Sequence, residues 1–190
     1  MKILVFAGST RHDSVNRKLA HAAAQAVNAA GGEATLLELS DYPMPLLSGE
    51  IEAENGPPEN AFRLQQIIAA HAGLIIASPE HNHSISALLK NTLDWVSRTP
   101  RVKGNNPFIG KVAGIIAASP GGLGGLQGLD HLERVLTTVG ALVLPRKVAV
   151  PNADKAFDHA GQLTDEGSAR RVAELATDVV SVASRLARPD

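Results

Sequence analysis

Residues 1–16 read MKILVFAGSTRHDSVN and contain the pattern that decides the fold. Residues 3–7 are a short apolar run of strand type, and from residue 15 onward the apolar residues recur at helical spacing. The polar loop between them, residues 8–14, opens on a glycine. A buried strand that passes through such a loop into a helix is typical of α/β proteins, which bind ligands at the carboxyl ends of their strands.

The rest of the chain repeats this alternation of strand and helix. Further strands are predicted at residues 34–39, 74–77, 112–118 and 141–144, and helices at 15–30, 59–71, 87–98, 126–139 and 165–186, the last with Thr164 as its cap. Residues 42–58 and 99–110 are predicted loops. Five strands alternating with five helices predict a doubly wound α/β parallel sheet in a single domain spanning residues 1–190. Two strand orders are common for such sheets, and in both a ligand binds at the loops after strands one, three and four.

Composition excludes several classes of function. The chain has a net charge of −1 and only 3 % aromatic residues, so it lacks the cationic surface and stacking rings of a nucleic-acid-binding protein. It contains no cysteine, which excludes disulfides, cysteine-ligated metal centres and thiol nucleophiles. Redox chemistry in such a chain therefore requires a bound cofactor.

The apolar segments are all short. None approaches the length that crosses a membrane, and the N-terminal apolar run is too brief for the core of a signal peptide. We therefore expect a cytoplasmic protein without a membrane segment.

The first polar loop has the composition of a phosphate-binding site. Its hydroxyl and amide side chains, a guanidinium and the free N–H groups at the start of the following helix all suit a phosphate. Neither the dinucleotide-binding fingerprint G-x-G-x-x-G nor a P-loop is present. The alternative is an ordinary helix N-terminus capped by Ser14, with a surface arginine beside it. The candidate phosphate ligands are Ser9, Thr10, Arg11, Ser14 and Asn16.

A second polar segment, residues 78–91, reads SPEHNHSISALLKN and follows a buried strand. So many donors and acceptors at the end of a strand suit the edge of a planar heterocycle, although an ordinary exposed turn is the alternative. Glu80, His81 and His83 are spaced too tightly for the usual zinc patterns, so no metal site is predicted. The following helix carries charges four residues apart, which predict a surface ion-pair ladder of Lys90, Asp94 and Arg98.

The third segment, residues 119–125, reads SPGGLGG. Glycines in this number let a backbone approach a flat ligand closely. The residues around Ser119 also partly match the nucleophile elbow of a serine hydrolase, but the first glycine of that motif is missing. A serine hydrolase is kept as an alternative.

Together these segments resemble the NADPH-dependent FMN reductase family, which includes flavin, quinone, azo-dye and chromate reductases. The likeness covers residues 1–150. It is carried by Gly8, Ser9, Thr10, Arg11, Ser14 and Asn16, by Ser78, Pro79, Glu80, Asn82 and Ser84, by Leu89, Lys90, Asn91, Asp94, Trp95 and Arg98, and by Ser119, Gly121 and Gly122.

The resemblance implies a flavodoxin-like fold with strand order 2-1-3-4-5 and a bound FMN whose phosphate lies in the first loop. The residues that it places against the flavin ring are Pro79, Glu80, His81, Asn82 and Ser84 on one edge and Ser119, Gly121 and Gly122 on another. Family members are usually dimers or tetramers with the flavin near a subunit interface, so the resemblance implies a homodimer or homotetramer.

The ring-binding segment departs from the family pattern at two places. His81 stands where a tyrosine is usual, and Ser86-Ala87 stand where Pro-Gly is usual. We expect an enzyme in which NADPH or NADH reduces FMN, which then reduces a small acceptor such as a quinone, a flavin, an azo dye or a metal oxyanion. A non-catalytic FMN-binding electron carrier is the alternative, although flavodoxins with that role are strongly acidic and this chain is not.

Overall fold

The computed structural model describes residues 1–101 and 103–187. Its strands are β1 (Lys2–Ala7), β2 (Glu33–Glu38), β3 (Gly73–Ala77), β4 (Glu80–His81), β5 (Ser84–Ile85), β6 (Val112–Ala118) and β7 (Leu142–Val150). Its helices are α1 (Val15–Ala29), α2 (Gly49–Asn55), α3 (Glu59–Ala69), α4 (Ala87–Arg98), α5 (Leu126–Thr138) and α6 (Glu166–Leu186), with 3-10 turns at Leu39–Asp41 and Thr99–Arg101.

Within the described residues, no helix combines the length and the apolar character needed to cross a membrane.

Five parallel strands form the central sheet in the order β2-β1-β3-β6-β7. Counted within this sheet alone, the order is 2-1-3-4-5, so the predicted fold is confirmed. Side chains alternate across β1, with Ile3 and Val5 in the core beneath α1 and α6, and Leu4 and Phe6 in the core beneath α3, α4 and α5. Because both faces are covered, the inner strands are apolar apart from Lys2, which is exposed at the start of β1.

The last strand of the sheet is longer than predicted and covers Leu142–Val150 instead of residues 141–144. Ala113 pairs with Val143 but Ile115 pairs with Lys147, so β7 carries extra residues at this irregularity. The extra stretch contains the exposed Pro145, which cannot donate a ladder hydrogen bond and is tolerated at an edge or a bulge. Because of the proline and the charged residues after it, the sequence pattern did not predict the second half of this strand.

Two predicted loops also contain regular structure. Helix α2 lies in the proline-rich segment and begins where the Ser48 hydroxyl accepts a 3.1 Å hydrogen bond from the Ile51 N–H. None of its residues is buried, so it has no apolar period. Strands β4 and β5 form a hairpin inside the segment predicted as a polar loop. At the start of α6 the cap is Asp165, not Thr164.

Candidate functional site

Three polar loops, those after β1, β3 and β6, meet at the carboxyl edge of the sheet. The Gly8 N–H donates to the Ala77 carbonyl at 2.9 Å, and the Ser78 N–H donates to the Ile116 carbonyl at 2.8 Å. The buried Ser86 hydroxyl, at the start of α4, donates to the Gly8 carbonyl at 2.6 Å. Each loop is therefore fixed to the neighbouring strand or helix before its polar side chains begin.

The loop after β1 leaves its donors available to a ligand. Thr10 and Arg11 are exposed and Ser9 is partly exposed. Ser14 occupies the N-cap position of α1, but its side chain accepts no capping hydrogen bond from the helix. The first turn of α1 contains no acidic residue, so no carboxylate of that turn competes with an anion for its N–H groups and its positive dipole end.

Asn16 has a different place from the other residues of this loop. It is buried, its amide nitrogen donates to the Ala118 carbonyl at 2.9 Å, and its amide oxygen accepts from the Ala118 N–H at 2.9 Å. This pair of hydrogen bonds ties the first turn of α1 to the end of β6. Asn16 thus positions the first loop against the third, and its direct contact with a phosphate stays a prediction.

The segment after β3 is a tight hairpin rather than an irregular loop. Asn82 and His83 form its turn with φ values of 51° and 61°. Positive φ at both central residues gives the turn whose twist matches a two-stranded hairpin, and asparagine tolerates that conformation well. The sequence signal was weak because the second turn residue is a histidine instead of the usual glycine.

Two hairpin side chains face α5, which the sequence did not reveal. A Glu80 carboxylate oxygen accepts a 2.7 Å hydrogen bond from the Gly128 N–H, in the first turn of α5. A carboxylate at that position is stabilised by the helix dipole. The Ser84 hydroxyl lies 3.0 Å from His131 Nδ1. These contacts fasten the hairpin to α5, and the predicted contacts of Glu80 and Ser84 with a flavin ring stay untested.

The glycines of the turn after β6 fall into two classes. Gly124 has a φ of 62°, and a Cβ built on it would lie 2.7 Å from the backbone of Val150 and Pro151. Packing alone thus requires that glycine. A Cβ on Gly121 would meet only the Ser119 hydroxyl at 3.6 Å, and one on Gly122 would meet nothing within 4 Å. Both are exposed, so their missing side chains leave open space above the turn, as a flat ligand such as a flavin requires.

The residues of α4 that carry the family resemblance have a structural role. The Asn91 side chain accepts from the Leu47 N–H and donates to the Pro45 carbonyl, both at 2.9 Å, and the Trp95 indole donates to the same carbonyl at 2.7 Å. These bonds clamp residues 45–47 against the helix. The predicted ion-pair ladder is only half present: Lys90 pairs with Asp94 at 2.7 Å, whereas Arg98 pairs with Glu52 of α2 at 3.0 Å.

In the described part of the chain, no three histidine, aspartate or glutamate side chains lie close enough together to hold a metal ion. His83 Nδ1 lies 3.7 Å from the Glu80 carboxylate, and no third ligand joins them there.

Known proteins match this chain over most of its length. Residues 1–155 match the family described as NADPH-dependent FMN reductase. An NAD(P)H-dependent FMN reductase of Pseudomonas aeruginosa is 35 % identical over 87 % of this chain and 86 % of its own, and a quinone reductase of Pseudomonas putida is 31 % identical over 86 % and 85 %. The structure of the flavoenzyme NAD(P)H:(acceptor) oxidoreductase FerB of Paracoccus denitrificans superposes with a TM-score of 0.80 at 28 % identity, covering 97 % of each chain.

The family match covers the loops after β1, β3 and β6, on which the prediction depended. It confirms an enzyme that uses FMN and a reduced nicotinamide, and it gives no support to the electron-carrier or hydrolase alternatives. The chain belongs to the NADPH-dependent FMN reductase family.

Proposed function

We propose that residues 1–190 form one FMN-binding domain that transfers electrons from a reduced nicotinamide to a quinone. The observation that carries this proposal is the open space beside Gly121 and Gly122, where an added Cβ would meet only the Ser119 hydroxyl at 3.6 Å or nothing within 4 Å. It lies at the same sheet edge as the N-terminus of α1, whose first turn has no acidic residue. A phosphate position and a platform for a flat ring are thus held on one rigid scaffold.

The residues divide by task. Ser9, Thr10, Arg11 and Ser14 hold the FMN phosphate through hydroxyl groups, a guanidinium and the helix N–H groups. The ring lies between the hairpin and the glycine turn, with Pro79, Glu80, His81, Asn82 and Ser84 on one edge and Ser119, Gly121 and Gly122 on the other. Asn16 and Ser86 keep these loops in register through their buried hydrogen bonds.

Bound FMN supplies the redox chemistry, because it takes electrons from a nicotinamide and gives them to an acceptor. The protein needs no nucleophile for this reaction. Its contribution is to hold the ring, to leave one face open for the donor and then the acceptor, and to offer backbone donors to the ring edge. Quinone is the proposed acceptor because a relative that is 31 % identical is named a quinone reductase.

We place the enzyme in the cytoplasm as a homodimer or homotetramer. The support for an oligomer is a set of exposed leucines, Leu123 and Leu126 at the glycine turn and Leu46 in the segment held against α4. Leu46 is exposed although three hydrogen bonds from α4 hold its neighbours in place, which suits a residue that contacts another molecule.

The test uses the purified chain reconstituted with FMN. Heat-released cofactor is identified by chromatography, and oxidation of NADPH and NADH is followed with and without a soluble benzoquinone. We expect FMN as the bound flavin and quinone-dependent nicotinamide oxidation. Bound FMN that is not reduced by either nicotinamide would establish an electron carrier, and FAD or no flavin would contradict the assigned site.

A further inference from the structure

A cavity of about 610 Å³ lies on the outer side of the hairpin, between it, the start of α4 and the middle of α5. We call it the hairpin cleft. Its floor is apolar, with Ile85 and Val135, and its polar lining includes His81, Lys90, His131 and Arg134. No carboxylate is among the residues that line it. The cleft thus combines an apolar surface with cationic and titratable groups, and no acidic side chain in its lining offsets them.

Arg134 is the distinctive residue of this cleft. Several arginines in the described part of the chain have acidic partners, such as Arg17 with Glu38 at 2.9 Å and Arg63 with Glu59 at 2.7 Å. The Arg134 guanidinium is exposed and has no such partner among the described residues. An unpaired guanidinium beside an apolar floor is suited to a bidentate contact with a phosphate.

The hairpin places this cleft next to the proposed flavin position. Its Glu80 Cβ lies 3.7 Å from the position of a Cβ on Gly125, so the hairpin touches the glycine turn on one side. On its other side it lines the cleft through His81 and Ser84, and the contact between Ser84 and His131 fixes it to α5. A dinucleotide whose nicotinamide stacks on the flavin can therefore pass the hairpin and place its adenosine end in the cleft.

From this arrangement we infer that the hairpin cleft binds the 2′-phosphate of NADPH, with Arg134 as its principal ligand and Lys90 as a second cation. The inference rests on the proposed function, because it assumes a nicotinamide donor at the flavin. NADPH and NADH differ only in that phosphate, so a dedicated site for it makes NADPH the preferred donor. The Lys90 ammonium is shared with Asp94 at 2.7 Å, which leaves Arg134 as the stronger of the two.

A binding experiment tests the cleft without catalysis. Isothermal titration of the FMN-loaded protein compares 2′,5′-ADP with 5′-AMP, which lacks the 2′-phosphate. Loss of one charge-assisted contact corresponds to about 10- to 150-fold in dissociation constant. Wild type should bind 2′,5′-ADP more tightly by about that factor, and Arg134→Ala should remove most of the difference, leaving only the contribution of Lys90. Equal affinities in wild type, or a difference that is undiminished in Arg134→Ala, would overturn the inference.

A kinetic experiment separates this inference from the proposed function. Arg134→Ala should lower kcat/KM for NADPH and leave that for NADH unchanged, whereas the control Arg170→Ala, on α6 at the opposite face of the sheet, should change neither. If neither nicotinamide is oxidised but 2′,5′-ADP still requires Arg134, the proposed function fails and the cleft assignment stands. If Arg134→Ala changes the oligomeric mass and not the NADPH to NADH ratio, the cleft is a subunit contact and the inference fails.

Discussion

At the residue scale, the two classes of glycine in the turn after β6 give the sharpest distinction between ligand binding and folding. Gly122→Val adds a side chain to open space, so the protein should keep its free energy of unfolding while FMN affinity falls. Gly124→Ala should instead destabilise the protein, because its φ of 62° and its contact with the β7 end both resist a side chain. Strain of that kind costs on the order of 1–3 kcal/mol.

The measurements are a denaturant titration of the apoprotein and a flavin-fluorescence titration of each variant. If Gly122→Val unfolded as readily as Gly124→Ala, the open glycines would be structural after all. If Gly122→Val bound FMN as wild type does, the ring would lie elsewhere.

Arg11 provides the corresponding test of the phosphate position. Its guanidinium is exposed, so Arg11→Ala should leave the fold intact. Loss of a charge-assisted contact should weaken FMN binding by about 1.5–3 kcal/mol, or roughly 10- to 150-fold. Riboflavin, which has no phosphate, should bind wild type and Arg11→Ala equally. An unchanged FMN affinity would identify Arg11 as a surface residue.

Residue identities could be predicted from the sequence, but several of their partners could not. The Ser-Thr-Arg loop and the polar segment after β3 are visible as composition at strand ends. By contrast, Asn16 binds Ala118 across a separation of 102 residues, and Glu80 binds the backbone of α5. No local pattern encodes such contacts, because they form only once the sheet has brought the loops together.

At the element scale, the stability that Asp165 contributes as the N-cap of α6 depends on pH. Hydrogen bonds from the side chain and the backbone N–H of Ser168 hold the pKa of Asp165 below its usual value. A carboxylate whose pKa is lowered by folding stabilises the protein above its ordinary pKa, and that stability is lost as the pH falls through the lowered value. Asp165→Ala should therefore reduce the free energy of unfolding by about 0.5–2 kcal/mol at neutral pH.

Asp165→Asn is the matched control, because asparagine is an equally good cap and has no charge to titrate. Urea titrations from neutral to acid pH should show the deficit of Asp165→Ala shrinking as wild-type Asp165 becomes protonated. A deficit that stays constant down to strongly acid pH would mean that the charge of this cap contributes nothing.

Elements with a strong apolar period were predictable, and those without one were not. Helix α1 and the inner strands follow from buried residues at fixed spacing. Helix α2 has no buried residue, and β7 is interrupted by Pro145 at its irregular register, so neither gives a readable period. The β4–β5 hairpin was missed because a two-residue turn of Asn82 and His83 lacks the expected glycine.

At the scale of the whole molecule, the exposed leucines predict an assembly. Leu46 is 76 % exposed, Leu123 58 % and Leu126 40 %. Leu123 and Leu126 belong to the glycine turn and the start of α5, and Leu46 lies in the segment that is held against α4. Light scattering across a dilution series should give a dimer or tetramer, and turnover per flavin should fall as it dissociates. Leu46→Asn should weaken that assembly. The control is Ile109→Asn, whose side chain is 66 % exposed and which precedes the amino end of β6. A monomer with full turnover would contradict this prediction.

The family could be recognised from three polar loops at the ends of three strands, and the strand order followed from that resemblance, because the alternation of strands and helices alone left two orders open. The central claim built on them is that this chain holds FMN and that a nicotinamide reduces it there. The most direct measurement is anaerobic addition of NADPH to the FMN-loaded protein, followed by a soluble benzoquinone, with the flavin absorbance recorded throughout. We expect the oxidised-flavin band to disappear on adding NADPH and to return on adding the quinone. A bound flavin whose absorbance does not change with NADPH or with NADH would contradict it.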